Sequence, residues 1–254
     1  MTIDNFQKEV SESLENLFNE AKEKDEFAYI FSLLGINSGM QDAGWQPIAE
    51  TFNLLRDVVS IVNTPLELHT KARLLLMLYC QITEASYPYH VMYNMMLTIE
   101  LESPPKVFNF LDLHRNGNPP SVKSKVKRIS EKAEKLGHHS IKKIIENIFN
   151  NEIRNAVSHA DYILYKDSLR LNHKMSFSQP VIKIDDLFFI INKSIVFFES
   201  LFQIIDSHKR EYPDGYVISN RKSKDGRNLG SITISSDEKY GITGFSQSDP
   251  LPTW

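Results

Sequence analysis

Apolar side chains recur every three or four positions along much of the chain, which is the spacing of an amphipathic helix. The first 30 residues show this spacing clearly, with charged and polar residues at most positions between the apolar ones. The apolar positions of this segment are Phe6, Val10, Leu14, Leu17 and Phe18. We therefore predict that the chain opens with one long amphipathic helix, followed by a glycine-rich loop at residues 35–44.

Further helices are expected in the middle of the chain. Residues 47–62 begin with a proline, which the first turn of a helix tolerates. Residues 66–79 are apolar on nearly every face, so we expect a buried central helix that is capped by Thr64. Ser121 can cap a basic helix, and another helix is expected from residue 138 to residue 159.

The pattern changes after residue 159. Residues 162–171 contain two short strand-like runs on either side of a Lys-Asp-Ser turn, which predicts a β-hairpin. Residues 184–205 return to helical spacing, and short β-forming runs follow them. We expect a mainly α fold with three parts: an N-terminal helical region (1–63), a helical domain that contains the hairpin (64–212) and a small β-rich extension (213–254).

Composition narrows the class of protein. The 254 residues are 41% hydrophobic and 24% charged, which is ordinary for a globular protein and argues against wholesale disorder. The single cysteine, Cys80, can form neither an internal disulfide nor a zinc cluster, and a reducing cytoplasm is the expected setting. The polar N-terminus lacks a signal-peptide core, and no uncharged apolar stretch approaches the ~20 residues of a membrane span.

The chain is acidic overall but contains one segment rich in lysine and arginine. A net charge of −3 is unlike that of proteins that coat nucleic acid nonspecifically, so any RNA contact must come from a local patch. Residues 123–143 are rich in cations, and they are either an RNA-binding surface or a solvated helix face. The candidate RNA-binding residues in this segment are Lys123, Lys125, Lys127, Arg128, Lys142 and Lys143.

The candidate chemistry lies in the hexapeptide Arg-Asn-Ala-Val-Ser-His at residues 154–159. Asn155 and His159 are four residues apart and share a helix face. Arg154 lies about 140° from His159 on an ideal helix, but its long side chain can reach the same groove. Arginine offers a planar fork that matches phosphate oxygens, and histidine exchanges a proton near neutral pH. An RNA 2′-hydroxyl can be the nucleophile, so this set requires no metal and no cofactor.

This hexapeptide resembles the signature of HEPN domains, which combines arginine, a polar residue, three variable residues and histidine. The resemblance extends over about residues 64–207 and implies a HEPN-like helical bundle. It also implies a metal-independent endoribonuclease, a hydrolase whose catalytic residues here would be Arg154, Asn155 and His159. Active HEPN domains are typically homodimers with two facing copies of the motif. Many belong to prokaryotic toxin–antitoxin or antiviral defence systems, so RNA and an antitoxin or other defence protein are the expected partners.

Two alternatives stay open on the sequence alone. Arg154 can be a surface or salt-bridging residue, paired for instance with Asp161, with His159 at a favourable helix C-terminus and Asn155 simply exposed. The second alternative is a non-catalytic HEPN-like module that keeps the motif, dimerises, and binds RNA or a partner protein.

Overall fold

The computed structural model of this chain describes residues 2–34, 47–100, 120–172, 181–218 and 230–247. Within these ranges the protein is mainly helical and has two small antiparallel sheets, which confirms the predicted fold class at this coarse level. The loop predicted at residues 35–44 lies outside the described residues.

The elements of the described residues are numbered in chain order. The helices are α1 (Ile3–Lys24), α2 (Glu26–Leu34), α3 (Pro47–Val62), α4 (Leu68–Glu84), α5 (Ser86–Ile99), α6 (Val122–Lys135), α7 (His139–Ile148), α8 (Asn151–Ser158) and α9 (Ile184–Arg210). The strands are β1 (Tyr162–Tyr165), β2 (Ser168–Leu171), β3 (Val181–Lys183), β4 (Val217–Ile218), β5 (Ile232–Asp237) and β6 (Gly241–Gln247).

The amphipathic N-terminal segment is helical, but it is interrupted. All five apolar positions identified in the sequence are at most 3% exposed, as the spacing predicts. The single helix expected there is wrong, because the chain breaks at Asp25 between α1 and α2. The carboxylate of Asp25 accepts a hydrogen bond from the backbone N–H of Ala28 at 3.0 Å, so this side chain caps the start of α2.

The starts of two later helices test the predicted caps. The cap expected at Thr64 is wrong: α4 begins at Leu68, and the Glu67 carboxylate accepts from the backbone N–H of Thr70 at 2.9 Å. Ser121 caps α6 as predicted, because its hydroxyl accepts from the backbone N–H of Ser124 at 3.3 Å.

One compact unit comprises residues 1–13, 44–89 and 119–200. In it α3 packs on α4, α6 packs on α7, and α8 packs on both α4 and β2. Its core is built from apolar side chains, among them Leu75, Leu76, Ile82, Ile141, Ile145, Ile153, Leu169, Leu187, Ile191 and Phe198.

The hairpin after the motif forms as predicted and gains a third strand. β1 pairs antiparallel with β2 in the register Tyr162↔Leu171, and β2 pairs antiparallel with β3. The turn residues are Lys166 and Asp167, since Ser168 belongs to β2. Lys166, the first turn residue, adopts a left-handed φ of 52°, which the first position of a type I′ or II′ hairpin turn requires.

The second compact unit comprises residues 14–43, 90–118 and 201–254. It holds the antiparallel sheet β4–β5–β6, which agrees with the predicted β-rich extension. Phe245 of β6 packs on Phe27 and Phe31 of α2, with ring centroids 6.1 Å and 4.4 Å apart. The boundaries at residues 63/64 and 212/213 stay predictions.

One helix among the described residues, Ile184–Arg210, is long and apolar enough to cross a membrane by length and composition. In the most apolar window of this helix 56% of the residues are buried inside the protein. A core helix of a soluble protein meets the same criteria, so the helix is weak evidence for a span and is compatible with a soluble protein.

Candidate functional site

The motif lies on α8, a short helix that begins with its own cap. Asn150 is extended, and its side-chain oxygen accepts hydrogen bonds from the backbone N–H groups of Glu152 and Ile153 at 3.0 Å each. Asparagine is among the preferred residues at this position because its side chain satisfies amides that have no helical partner. The single helix expected over residues 138–159 is therefore wrong, and the chain breaks between α7 and α8.

The break before α8 is anchored by buried hydroxyl groups. The Tyr79 hydroxyl of α4 accepts from the backbone N–H of Asn150 at 2.6 Å and donates to the carbonyl of Ile148 at 3.3 Å. The Ser194 hydroxyl of α9 also donates to this carbonyl, at 2.8 Å. Burial raises the pKa of Tyr79 above its ordinary value, so its hydroxyl stays protonated and able to donate.

Arg154 is held by two acceptors. Its Nη2 forms an ion pair with Oε1 of Glu84, the last residue of α4, and its Nη1 donates to Oδ1 of Asn155 at 2.8 Å. The Nε–H is buried and has no acceptor among the described residues. A guanidinium carries five N–H donors, and two acceptors on different groups fix its plane.

These contacts identify the neighbours of the arginine. Asn155, one of the three candidate catalytic residues, contacts the Arg154 guanidinium through its amide oxygen. Arg154 forms a salt bridge, as the structural alternative expects, but its carboxylate partner is Glu84 and not Asp161.

His159 occupies the C-terminal end of the motif helix. Its backbone N–H bonds to the carbonyl of Asn155 at 3.0 Å, and its φ of −102° and ψ of 4° end the helical geometry. The residue is exposed, and its imidazole makes no hydrogen bond or ion pair with another residue in the described part of the chain. The structure thus brings Arg154 and Asn155 into direct contact and leaves the imidazole open to solvent.

Glu84 is the residue of this site that the sequence pattern does not indicate. It lies 70 positions before Arg154, and nothing in the local sequence distinguishes it from other helix-terminal glutamates. Its backbone carbonyl accepts from Nζ of Lys125 at 3.1 Å, and this ammonium also donates to Oγ of Ser86 at 2.9 Å. Glu84 therefore contacts α8 with its side chain and α6 with its backbone.

Lys125 does not belong to an exposed basic surface. Only 2% of the residue is accessible, and its Nζ lies 5.5 Å from the centroid of the Tyr89 ring. Burial lowers the pKa of Lys125 to about 8 because the charged form loses hydration. Its hydrogen bonds make it a structural link between α6 and the end of α4.

The other candidate RNA-binding cations fall into two groups. On α6, Lys123 and Lys127 are exposed and Arg128 is partly exposed; of these, Lys127 has a carboxylate partner, Glu131, at 3.7 Å. On α7, Lys142 lies 2.8 Å from Glu134 and Lys143 lies 3.1 Å from Glu9. Among these candidates the uncompensated charge in the described residues therefore lies on Lys123 and Arg128 of α6, and ion pairs reduce the charge of α7.

The remaining reactive group beside the motif is Cys80. Burial raises the pKa of its thiol, whose Sγ lies 3.8 Å from the backbone oxygen of Arg154, and this disfavours the reactive thiolate. No group of three or more His, Cys, Asp or Glu side chains in the described ranges is arranged to hold a metal ion.

Comparison of the chain with protein-family models, with curated proteins and with solved structures finds no match. Its candidate function is therefore inferred from its own residues.

Proposed function

We propose that this protein is a metal-independent endoribonuclease of HEPN type that cleaves RNA by attack of a 2′-hydroxyl on the adjacent phosphate. The observation that carries the proposal is the pairing, on one short capped helix, of a restrained arginine fork with an open histidine. Two acceptors hold the Arg154 guanidinium, and His159 stands exposed five residues later.

The chemistry of this reaction needs proton transfer and charge stabilisation. The 2′-oxygen forms a bond to phosphorus and loses its proton, while the bond from phosphorus to the 5′-oxygen breaks and that oxygen gains a proton. The products are a 2′,3′-cyclic phosphate and a 5′-hydroxyl. His159 serves as general acid or base, and the remaining N–H donors of Arg154 stabilise the negative charge on the phosphorane-like transition state.

Asn155 serves this site through the arginine. Its amide oxygen accepts from Nη1 while Glu84 holds Nη2, so the guanidinium keeps one orientation before RNA binds. A fixed fork loses less conformational entropy when it binds phosphate, which favours transition-state stabilisation over loose electrostatic attraction. Asn155 and Glu84 are positioning residues in this scheme, and Arg154 and His159 are the catalytic pair.

A single histidine cannot be both the base and the acid of one displacement step. A second copy of the motif, contributed by a twofold-related chain, supplies the missing group. We therefore propose a homodimer in which the α8 helices face each other. The HEPN resemblance extends the proposal to a cytoplasmic toxin or antiviral defence protein, which an antitoxin or other defence partner controls.

One observation favours a second candidate function, a non-catalytic module that dimerises and binds RNA or a protein. The Glu84 carboxylate neutralises part of the Arg154 charge and occupies one side of the fork. A phosphate must therefore either bind the remaining N–H donors of Arg154 or displace Glu84. In a non-catalytic module the ion pair is structural and stays closed.

Cleavage of mixed RNA in the presence of a chelator tests the proposal. We expect cleavage to persist, with fragments that end in 2′,3′-cyclic phosphate. Light scattering on the same sample should give twice the 29.3 kDa mass of one chain. Activity that disappears in chelator and returns with Mg²⁺ or Mn²⁺ would exclude this mechanism, and intact RNA with a stable dimer would favour the non-catalytic module.

A further inference from the structure

The three-stranded sheet beside the motif has one buried face and one exposed face. Directly opposed residues of antiparallel strands project to the same side, and Leu169 and Leu171 turn one side into the core. The opposite side is formed by two rows across the sheet. These rows are Ile163↔Arg170↔Val181 and Tyr165↔Ser168↔Lys183, of which Ser168 is buried and Arg170 is partly exposed.

This exposed face combines an accessible aromatic ring with cations. Tyr165 is 47% exposed, and the Arg170 guanidinium lies 4.3 Å from its ring centroid. Nζ of Lys166, in the adjoining turn, lies 5.5 Å from the same centroid. The Arg170 side chain makes no hydrogen bond or ion pair with the residues that the structure describes, and its buried Nε–H lacks an acceptor among them.

Carboxylates are absent from the two rows of this face. Asp167 belongs to the turn, and Asp185 and Asp186 belong to the first turn of α9. An aromatic ring with cations beside it matches single-stranded RNA, because every base offers a π-face and every nucleotide a negative charge. Duplex RNA hides its bases and leaves the ring without a partner.

The face is held close to the candidate catalytic residues. Tyr165 follows His159 by six positions, so their Cα atoms are at most about 22 Å apart. The backbone N–H of Asn172 donates to the carbonyl of Asp161 at 2.9 Å, which ties the end of β2 to the segment after α8. At the other end of the hairpin, Nε2 of His69 donates to the carbonyl of Lys166 at 2.6 Å.

We propose that this sheet face binds single-stranded RNA, with one base stacked on Tyr165 and the neighbouring phosphate on Arg170. The assignment rests on the proposed function and deepens it, since it names an unpaired strand as the substrate class and gives the strand a path beside the motif. Lys166 and Lys183 extend the positive surface along that path.

Fluorescence-anisotropy titrations of the full chain test this assignment. The probe is a short single-stranded RNA with 2′-O-methyl groups, which bars 2′-hydroxyl attack, and the comparison probe is its duplex. We expect Tyr165→Ala to weaken single-strand binding about 5- to 150-fold, the equivalent of one stacked base, and to leave the weaker duplex binding unchanged. Tyr165→Phe is the matched control, which keeps the ring and should keep the affinity. Tyr165→Leu keeps apolar bulk without a π-face and should bind as weakly as the alanine variant.

The outcomes separate this assignment from the proposed function. Unmodified RNA is incubated in parallel with the parent and with the Tyr165 variants, and its cleavage is measured. If the parent cleaves RNA and Tyr165→Ala binds and cleaves RNA as the parent does, the proposal of RNA binding at the sheet face is wrong and the nuclease proposal is retained. If single-strand binding depends on Tyr165 but neither protein cleaves RNA, the nuclease proposal is wrong and RNA binding at the sheet face is retained. A variant that alters the particle mass in light scattering without altering RNA affinity would make the face a protein interface and overturn the assignment.

Discussion

The guanidinium of Arg154 on α8 forms an ion pair with the carboxylate of Glu84 at the end of α4. The arginine side chain is 24% exposed and the glutamate side chain 39%, so the pair lies at the edge of the protein rather than in its core. The guanidinium is therefore accessible to a phosphate, and the ion pair fixes its orientation. Glu84 thus competes with phosphate for Arg154, but it also keeps the guanidinium oriented for phosphate binding.

Removal of the Glu84 charge should make this competition visible. We expect Glu84→Gln to tighten RNA binding, because the full charge of Arg154 becomes available to phosphate. The slope of log K against log salt should steepen by about 0.7, the contribution of one additional cation on a single strand. Anisotropy titrations over a salt series provide the measurement, with Glu12→Gln on α1 as the exposed control. An RNA affinity equal to that of the parent would make the ion pair purely structural.

The cap of the motif helix should contribute measurably to stability. Asn150→Ala leaves the first amides of α8 without an acceptor, and we expect the free energy of unfolding to fall by about 0.5–2 kcal/mol. Asn150→Asp should retain most of the parent's stability, since a carboxylate caps equally well. Asn147→Ala, an exposed change near the end of α7, is the control. Urea titrations that place Asn150→Ala level with this control would contradict the assigned cap.

Buried Lys125 predicts a pH dependence of stability. Its pKa is lowered from 10.5 to about 8, so between these pH values the unfolded chain holds a proton that the folded chain has released. When the unfolded state binds more protons, the free energy of unfolding rises with pH. The difference in unfolding free energy between the parent and Lys125→Met should therefore increase as pH rises from about 8 to 10.5. Lys127→Met, a change at an exposed lysine of the same helix, is the control variant. An unfolding free-energy difference between the parent and Lys125→Met that does not change with pH would show that this lysine is hydrated.

We expect the α6 lysines and arginine of the basic segment to contribute more to RNA binding than the two α7 lysines. Neutralisation of Lys123, Lys127 and Arg128 to Gln should weaken RNA binding and flatten its salt dependence, by about 0.7 in slope for each phosphate that is no longer neutralised. The double change Lys142→Gln and Lys143→Gln should have a smaller effect, because both lysines already sit beside carboxylates. Equal affinities for the parent and the α6 triple variant would identify α6 as a solvated face.

The spacing of apolar residues along the chain predicts those helices and strands in which this spacing determines the buried face. The amphipathic spacing of Phe6, Val10 and Leu14 and the alternating runs of residues 162–171 each determine which face is buried. The sequence does not predict the break at Asn150, because the apolar pattern continues on both sides of it. The backbone N–H of Asn150 donates to the Tyr79 hydroxyl of α4, and this tertiary contact cannot be read from the local sequence.

The site is predictable only as far as it is contiguous in sequence. Arg154, Asn155 and His159 stand within six positions, so their chemistry can be read from the chain. Glu84 reaches Arg154 only through the packing of α4 on α8, and residue spacing does not encode such a tertiary pair. The basic neighbours of Lys125 predict a surface cation, whereas the fold turns this residue inward toward the end of α4.

The central claim is that Arg154 and His159 cleave RNA, and cleavage assays on single-alanine variants test it most directly. Melting temperatures on the same proteins separate a catalytic effect from unfolding. We expect His159→Ala to lower the cleavage rate by about 10²–10⁴-fold, the usual contribution of a positioned proton-transfer group. Its melting temperature should match that of the parent, since the imidazole is exposed. Arg154→Ala should lower the rate by a similar or larger factor, because charge stabilisation at the phosphate is removed. Clear cleavage by the parent that persists undiminished in both variants would contradict the assignment and place the active site elsewhere.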